Sequence, residues 1–314
     1  MTTLRKTIID RFPALISLYR ALYRALNIAM AKLRPIPSQF TQYVIGAVSD
    51  GLWEIRINWT SLRVFPDKLK KPIIHLYAVC YNEERIIPYF IDYYSKFVDE
   101  FIIYDNMSTD SSVSKLSRYK GVTVIPYDTG NTLDETARLN IKNQDWKKSK
   151  GHADFVIVCD MDEFLYHRKM GVLLHLLHKH GYTVMQSYGY DMVSQSLPEF
   201  AGNQAITQLI RTGFASKNYS KPIFFSPELA EINFAPGCHK AAPKGRIKLF
   251  RSKQFKLLHY KNIDRNWVLR KTQHYRNRVS ETNKRHGWGI HYQRTDEGTL
   301  ADFDHKLKLG RKVI

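Results

Sequence analysis

The chain has 314 residues, 44% hydrophobic and 25% charged: enough for one large or two medium domains, and too apolar for a disordered or fibrous protein. Three cysteines (Cys80, Cys159, Cys238) cannot build a disulfide framework, which excludes a secreted disulfide scaffold and points to buried thiols in a reducing, cytoplasmic setting. No run approaches the roughly 18 to 20 apolar residues that span a bilayer, and no apolar core with a small-residue cleavage site follows Met1, so an integral membrane protein is also excluded. The net charge of +19 is uneven: residues 1–72 carry +8, residues 73–236 carry −3 and residues 237–314 carry +14. An acidic centre between basic ends suits a middle that holds a cation and flanks that meet phosphates.

Within Leu4–Arg34 the gaps of three and four between Leu15, Tyr19, Leu22, Leu26, Met30 and Leu33 describe one face of a helix, reset by Pro13 and ended by Pro35 and Pro37. Arg20, Arg24 and Lys32 lie on or beside its polar side. Two readings stand: a helix packed on its own domain, or a basic helix lying on an anionic membrane surface as a peripheral anchor. With an aromatic lead-in, it makes up residues 1–71.

From Lys71 the pattern alternates. Ile73–Tyr81 is an apolar, β-favouring run of the kind buried on both faces. Arg85–Val98 reads as a helix, Phe101–Tyr104 as a strand, and a short helix runs to about Tyr119. Val122–Tyr127 is a third strand, Thr132–Trp146 a helix, Asp154–Cys159 a fourth strand, Gly171–Lys179 a helix and Tyr182–Ser187 a strand. Two short strand-like runs, Arg246–Arg251 and Gln254–Tyr260, and a helix over Trp267–Arg278 follow. Such alternation implies an α/β fold with a doubly wound, mainly parallel sheet over residues 72–262, followed by a basic, aromatic extension at 263–314. Ligands of these sheets sit beyond the carboxyl ends of the strands. The loops after Tyr81, Tyr104 and Cys159 are therefore where chemistry is expected.

The loop after the fourth strand reads Asp160-Met161-Asp162-Glu163-Phe164. Carboxylates so close together repel unless a cation intervenes. Asp160 and Asp162, two apart, point to one side of an extended chain and can share a hard ion, Mn²⁺ or Mg²⁺, with phosphate oxygens. The second loop, Asp105-Asn106-Met107-Ser108-Thr109-Asp110, can cap the next helix and hydrogen-bond a base or ribose. Asn82-Glu83-Glu84 places acidic residues at a helix start. Neither a Walker loop nor a G-x-G-x-x-G follows these strands, which argues against an ATPase or a dehydrogenase. His175, His178 and His180 have no spaced partner for a zinc site and read as packing or surface residues.

These three loops, in this order, resemble those of family 2-type glycosyltransferases of the GT-A fold, in the soluble branch with an Asp-x-Asp-Glu-Phe strand end. Gly237-Cys238-His239 and His259-Tyr260 resemble its later elements, and the likeness covers about residues 73–262. The resemblance implies a nucleotide-sugar donor whose diphosphate is bridged by a divalent ion to Asp160 and Asp162. It places Asp105 near the base with Asn106 and Ser108 in the same loop, Asn82 and Glu83 near the nucleoside, and Arg138 near phosphate. It completes the metal site with a histidine, His239 ahead of His259. The chain departs from the pattern at Met107, where the family usually has Gly. It also departs in Gln273-His274-Tyr275-Arg276-Asn277, which lacks the Trp of the processive synthases' Gln-x-x-Arg-Trp.

Family 2-type enzymes are taken to invert the anomeric centre, so a base is expected on the acceptor side. Asp191 is the candidate, with Glu231 as its rival. The aromatic stretch around Trp288 reads as an acceptor or donor lid or as a docked tail. The expectation is a metal-dependent inverting glycosyltransferase acting on a glycan or lipid-linked acceptor. The alternative is a binding module for anionic membranes or nucleic acid, which leaves the Asp160–Glu163 cluster without a purpose; nucleic acid is not the expected partner.

Overall fold

The computed structural model describes residues 71–314 apart from Asn203, together with isolated positions at Ala21, Ala25, Ile28, Trp53, Glu54, Arg56, Ile57, Asn58, Thr60 and Leu69. Of the expected N-terminal helix, Ala21, Ala25 and Ile28 are helical, and the rest of that expectation lies outside the described residues.

Strand β1 (Ile74–Cys80) is buried along nearly its whole length, as its unbroken apolar run requires. Helix α1 (Ile87–Tyr94) starts with a proline in its first turn, where no amide is missed, and turns Ile87, Phe90 and Tyr94 into the core. β2 (Glu100–Asp105), α2 (Ser112–Leu116) and β3 (Val122–Pro126) follow. Asp134 then caps α3 (Glu135–Gln144) by accepting from the amides of Thr136 and Ala137. A 3₁₀ turn at Asp145–Ser149 buries Trp146, and β4 (Phe155–Asp160) returns to the sheet. Beyond it come β5 (Glu163–Tyr166), α4 (Met170–Lys179), β6 (Val184–Val193), the single turn α5 (Ile206–Leu209), β7 (Thr212–Ala215) and β8 (Phe224–Phe225). β9 (Leu249–Asn262), α6 (Arg265–Arg278), α7 (Glu281–Arg285), α8 (Asp296–Leu309) and β10 (Arg311–Lys312) complete the chain.

The strands form one sheet in the order β10-β7-β6-β8-β4-β1-β2-β3, with β9 paired to both β5 and β6. Parallel pairings carry most of the ladder, so the expected α/β class with a doubly wound, mainly parallel sheet holds. In register, Cys80 lies beside Asp105, and Val79 beside Asp160. The carboxyl ends of β1, β2 and β4 thus meet at one edge. One apolar cluster, with Phe90, Phe164 and Leu257, packs on one face, and a smaller one around Trp146 and Phe225 packs on the other.

Four elements in particular differ from the sequence reading. β6 runs on to Val193, and the two short runs after residue 245 are one strand, β9, paired to β6 across register shifts at Gln186/Tyr188 and Asp191/Val193. Polar Ser252 and Lys253 break the alternation there, although Ser252 is buried. β5 falls where the sequence reads as loop; it pairs antiparallel with β9 and sets Glu163 opposite His259. α8 buries only Thr299 and Phe303, too few apolar positions for a visible stripe. Among the described residues no helix is long and apolar enough to cross a membrane, and the three cysteines are buried and unpaired with one another.

Candidate active site

A cleft of about 320 Å³ opens at the carboxyl ends of β1, β2 and β4. Its walls include Glu83, Asn106, Arg138, Asp160, Asp162, His239 and His259, so these sequence-nominated residues come together. Asp160 ends β4, and α3 lays two cations against it: the Arg138 guanidinium, and Lys142 Nζ at 2.7 Å. Burial would raise the Asp160 carboxyl, but Arg138 and Lys142 outweigh it and hold the group well below the usual range. Asp162 Oδ2 lies 3.5 Å from both His259 Nε2 and Lys271 Nζ, and these two cations likewise overcome burial and keep Asp162 ionised. Beneath the loop, Glu163 forms a pair with Lys221 at 2.6 Å, both side chains almost wholly withdrawn from water. A Glu163 oxygen also accepts the Asp160 amide at 3.2 Å.

His259 is fixed from both sides. Its Nδ1 donates to Asp191 at 2.7 Å, and Tyr219 stacks on the ring at 3.8 Å with a 22° tilt. Burial would lower its pKa, but the Asp162 and Asp191 carboxylates raise it to about 9. Nδ1 is thus committed to Asp191, while Nε2 faces Asp162 Oδ2 on the cleft wall. His239 differs. Burial and then Lys221 lower its pKa, so it is neutral near pH 7, with Nδ1 3.2 Å from the Asn218 carbonyl.

Several nominated residues lie elsewhere. Asp191 sits behind His259, not on the cleft wall, so the expected base reaches the cleft only through that ring. Glu231 is farther out, paired with Lys147 at 2.9 Å and bridged to Lys244; it too is absent from the wall. Asn82, Asp105 and Ser108 tie the first two loops together. The Ser108 hydroxyl donates to Asp105 at 2.5 Å, its amide to the other Asp105 oxygen at 2.9 Å, and it accepts from the Asn82 amide at 2.9 Å. Met107 adopts a left-handed φ of 56° where the family pattern has glycine, and its side chain is half exposed.

Lys271, Tyr275 and Arg278 carry no distinctive signal in the sequence, yet all line the cleft. They lie at i, i+4 and i+7 on α6, one helical face. Lys271 pairs with Glu83, one of whose oxygens, Oε2, is buried without a partner. Burial pushes Glu83 up to about 7 against the pull of Lys271. Gln273 and Arg276, the stretch resembling the synthase element, instead bind Asp296 at 2.6 and 3.0 Å at the start of α8.

The donor chemistry fits a hard divalent ion. Asp160 and Asp162 put ionised carboxylate oxygens on the cleft wall, and ions of this class use one or two carboxylates with water and phosphate oxygens. Among the described residues no cluster of three or more His, Cys, Asp or Glu side chains forms a complete protein cage, and such an ion does not need one.

No curated protein matches the chain. Similar solved structures include a mycobacterial protein, 19% identical over 40% of this chain and 43% of that one, with a TM-score of 0.27. A second is 4-diphosphocytidyl-2C-methyl-D-erythritol synthase from Anaerococcus prevotii DSM 20548, 13% identical over 51% and 73%, with a TM-score of 0.29. A third is GalNAc-T7 with UDP, GalNAc and Mn²⁺, 11% identical over 76% and 56%, with a TM-score of 0.38. The chain thus spans less than half of the first and little more than half of the third. Likeness at this level carries no assignment.

The sequence model of glycosyltransferase family 92 matches residues 78–304. It runs through all three loops, β9 and α6, past the expected boundary at 262. It supports the expected glycosyltransferase resemblance at the level of family 92, and not of family 2 specifically. The chain belongs to glycosyltransferase family 92.

Proposed function

We propose that the enzyme moves a sugar from a nucleotide-sugar donor to a hydroxyl of a glycan or lipid-linked acceptor, with inversion at the anomeric carbon and with Mn²⁺ or Mg²⁺ bound. One observation carries this reading: two ionised carboxylates, Asp160 at the end of a buried strand and Asp162 in the turn that follows it, stand on the wall of a cleft that also holds Arg138, Lys271 and Arg278. Asp160 and Asp162 would hold the ion, which when bound neutralises charge on the leaving diphosphate. Arg138 and Lys142 orient Asp160, while His259 and Lys271 orient Asp162. Asp191 fixes the His259 ring. The unpaired Glu83 oxygen is an acceptor for a donor hydroxyl. Tyr219, Tyr275 and Tyr292 offer faces on which a sugar can stack.

The test is thermal stabilisation by nucleoside diphosphates with and without Mn²⁺. Stabilisation that needs the metal, and that disappears in Asp160→Ala and Asp162→Ala, supports the reading. A metal-dependent response that survives in both variants sinks the metal assignment.

A further inference from the structure

The cations of the cleft differ in what balances them. Arg138 has Glu135 and Asp160, Lys221 has Glu163, Lys271 has Glu83 and Asp162, and His259 has Asp162 and Asp191. Lys261 has no acid, but it is only half-buried and rests 4.8 Å from the Tyr292 ring centre. Arg278 is the exception that matters. It is 4% exposed, and no carboxylate of the described residues pairs with it. Asp105 acts on it only from beyond ion-pair distance, and both oxygens of Asp105 already accept from Ser108.

Arg278 is nonetheless held still. Nη2 donates to Asn106 Oδ1 at 2.6 Å, Nε to the Asn131 carbonyl at 3.2 Å, and the guanidinium carbon lies 3.3 Å from the centre of the Tyr81 ring. All three partners are uncharged. Nη1 is buried and has no partner. A buried cation with neither a counter-charge nor a full set of acceptors is unfavourable by itself. A neutral acceptor such as a base carbonyl would satisfy Nη1 but leave the charge. An anion satisfies both, and phosphate oxygens match the guanidinium fork.

We propose that Arg278 is the counter-ion of the donor's diphosphate, Nη1 donating to a phosphate oxygen while Nη2 and Nε stay anchored on Asn106 and Asn131. The assignment rests on the nucleotide-sugar reading above. It also gives the basic C-terminal segment a defined role, because α6 supplies a buried cation that the protein leaves for its ligand to neutralise.

The experiment is calorimetric titration of the full chain with Mn²⁺ and with uridine, guanosine, cytidine, adenosine and thymidine diphosphates, then with the nucleoside of the tightest binder. Arg278→Gln is expected to weaken the diphosphate at least about tenfold, the range of a lost charge-assisted contact, and the uncharged nucleoside less than about threefold. Its melting temperature should match or exceed that of the wild type without ligand, because an uncompensated charge has been removed. Unchanged diphosphate affinity overturns the proposal, and so does an equal loss for diphosphate and nucleoside, which would make Arg278 a base reader. If Arg278→Gln does not melt cooperatively, Arg278→Lys carries the test. Its charge remains but its anchored fork is gone, so a loss of about three- to tenfold is expected for the diphosphate alone, and wild-type affinity overturns the proposal. A wild type that binds none of the five diphosphates overturns the donor reading, and this assignment with it.

Discussion

Glu163 and Lys221 show how much of the site depends on pairs that never meet a ligand. Both are almost wholly buried, 2.6 Å apart, beneath the Asp160–Asp162 loop. Such a pair contributes little over apolar residues of the same size, but removing one partner strands the other's charge. Glu163→Gln should therefore destabilise the protein by about 3–5 kcal/mol in urea unfolding. The double variant Glu163→Leu with Lys221→Met should lose less than that single change; a double loss equal to or larger than the single one would contradict the argument. Asp191 acts at the same scale, through the Nδ1 of His259. Asp191→Asn should lower kcat at least about tenfold while leaving nucleoside diphosphate affinity within about threefold. Normal turnover in that variant would remove Asp191 from the reaction. The acidic loop itself was legible in the sequence because carboxylates at that density demand cations. Which cations could not be read: Lys142, Lys221 and Lys271 come from three distant segments and meet the loop only in space.

At the scale of elements, β6 and β9 build the second half of the cleft. Gly189 in β6 lets the Tyr219 turn approach closely: a Cβ there would lie 2.2 Å from the Tyr219 carbonyl carbon and 2.5 Å from the Ser220 nitrogen. Backbone cannot yield as a side chain can, so Gly189→Ala should push Tyr219 off the His259 ring. A loss of about 1–3 kcal/mol in stability, with weaker transfer, is expected; a variant as stable and active as the wild type would show that the approach is dispensable. The strands and helices before residue 180 were legible because continuous apolar runs and capped amphipathic turns carry their own signal. β5 was not, since four residues gain strand character only by pairing with β9. The face of α6 with Lys271, Tyr275 and Arg278 had a readable spacing, but polar side chains at helical intervals look alike whether they meet water or a ligand.

Over the whole molecule, the charge asymmetry becomes a division of labour. The acidic middle supplies Glu83, Asp160, Asp162 and Glu163, and the basic C-terminal segment supplies Lys271 and Arg278 to the same cleft. A global measurement reports another feature of this surplus of cations. Burial and then Lys261 depress His291 to about 3, and burial and then Arg56 depress His180 to about 4. A histidine whose folded pKa lies below its unfolded value of about 6.5 favours the neutral form, so its contribution is complete above about pH 6.5 and is lost as pH falls towards the folded pKa. Glu83, raised to about 7, and His259, raised to about 9, act in the opposite sense over this window, so the histidine contribution is read by difference. His291→Asn should gain in urea midpoint relative to the wild type as pH falls from 7 to 5; an unchanged difference between the two across that range would contradict the depressed His291.

Sequence alone determined the α/β class, the loops that carry chemistry, the acidic strand end and the glycosyltransferase reading. These follow from local signals: apolar runs, turn residues and like charges too close to stand alone. Only tertiary structure decided which residues face the cleft. It set Asp191 behind His259, moved Glu231 to a pair with Lys147, turned Arg276 to Asp296 and brought Arg278 to Asn106. The physical reason is that a buried charge is defined by its partners, and these partners are up to 172 residues away along the chain.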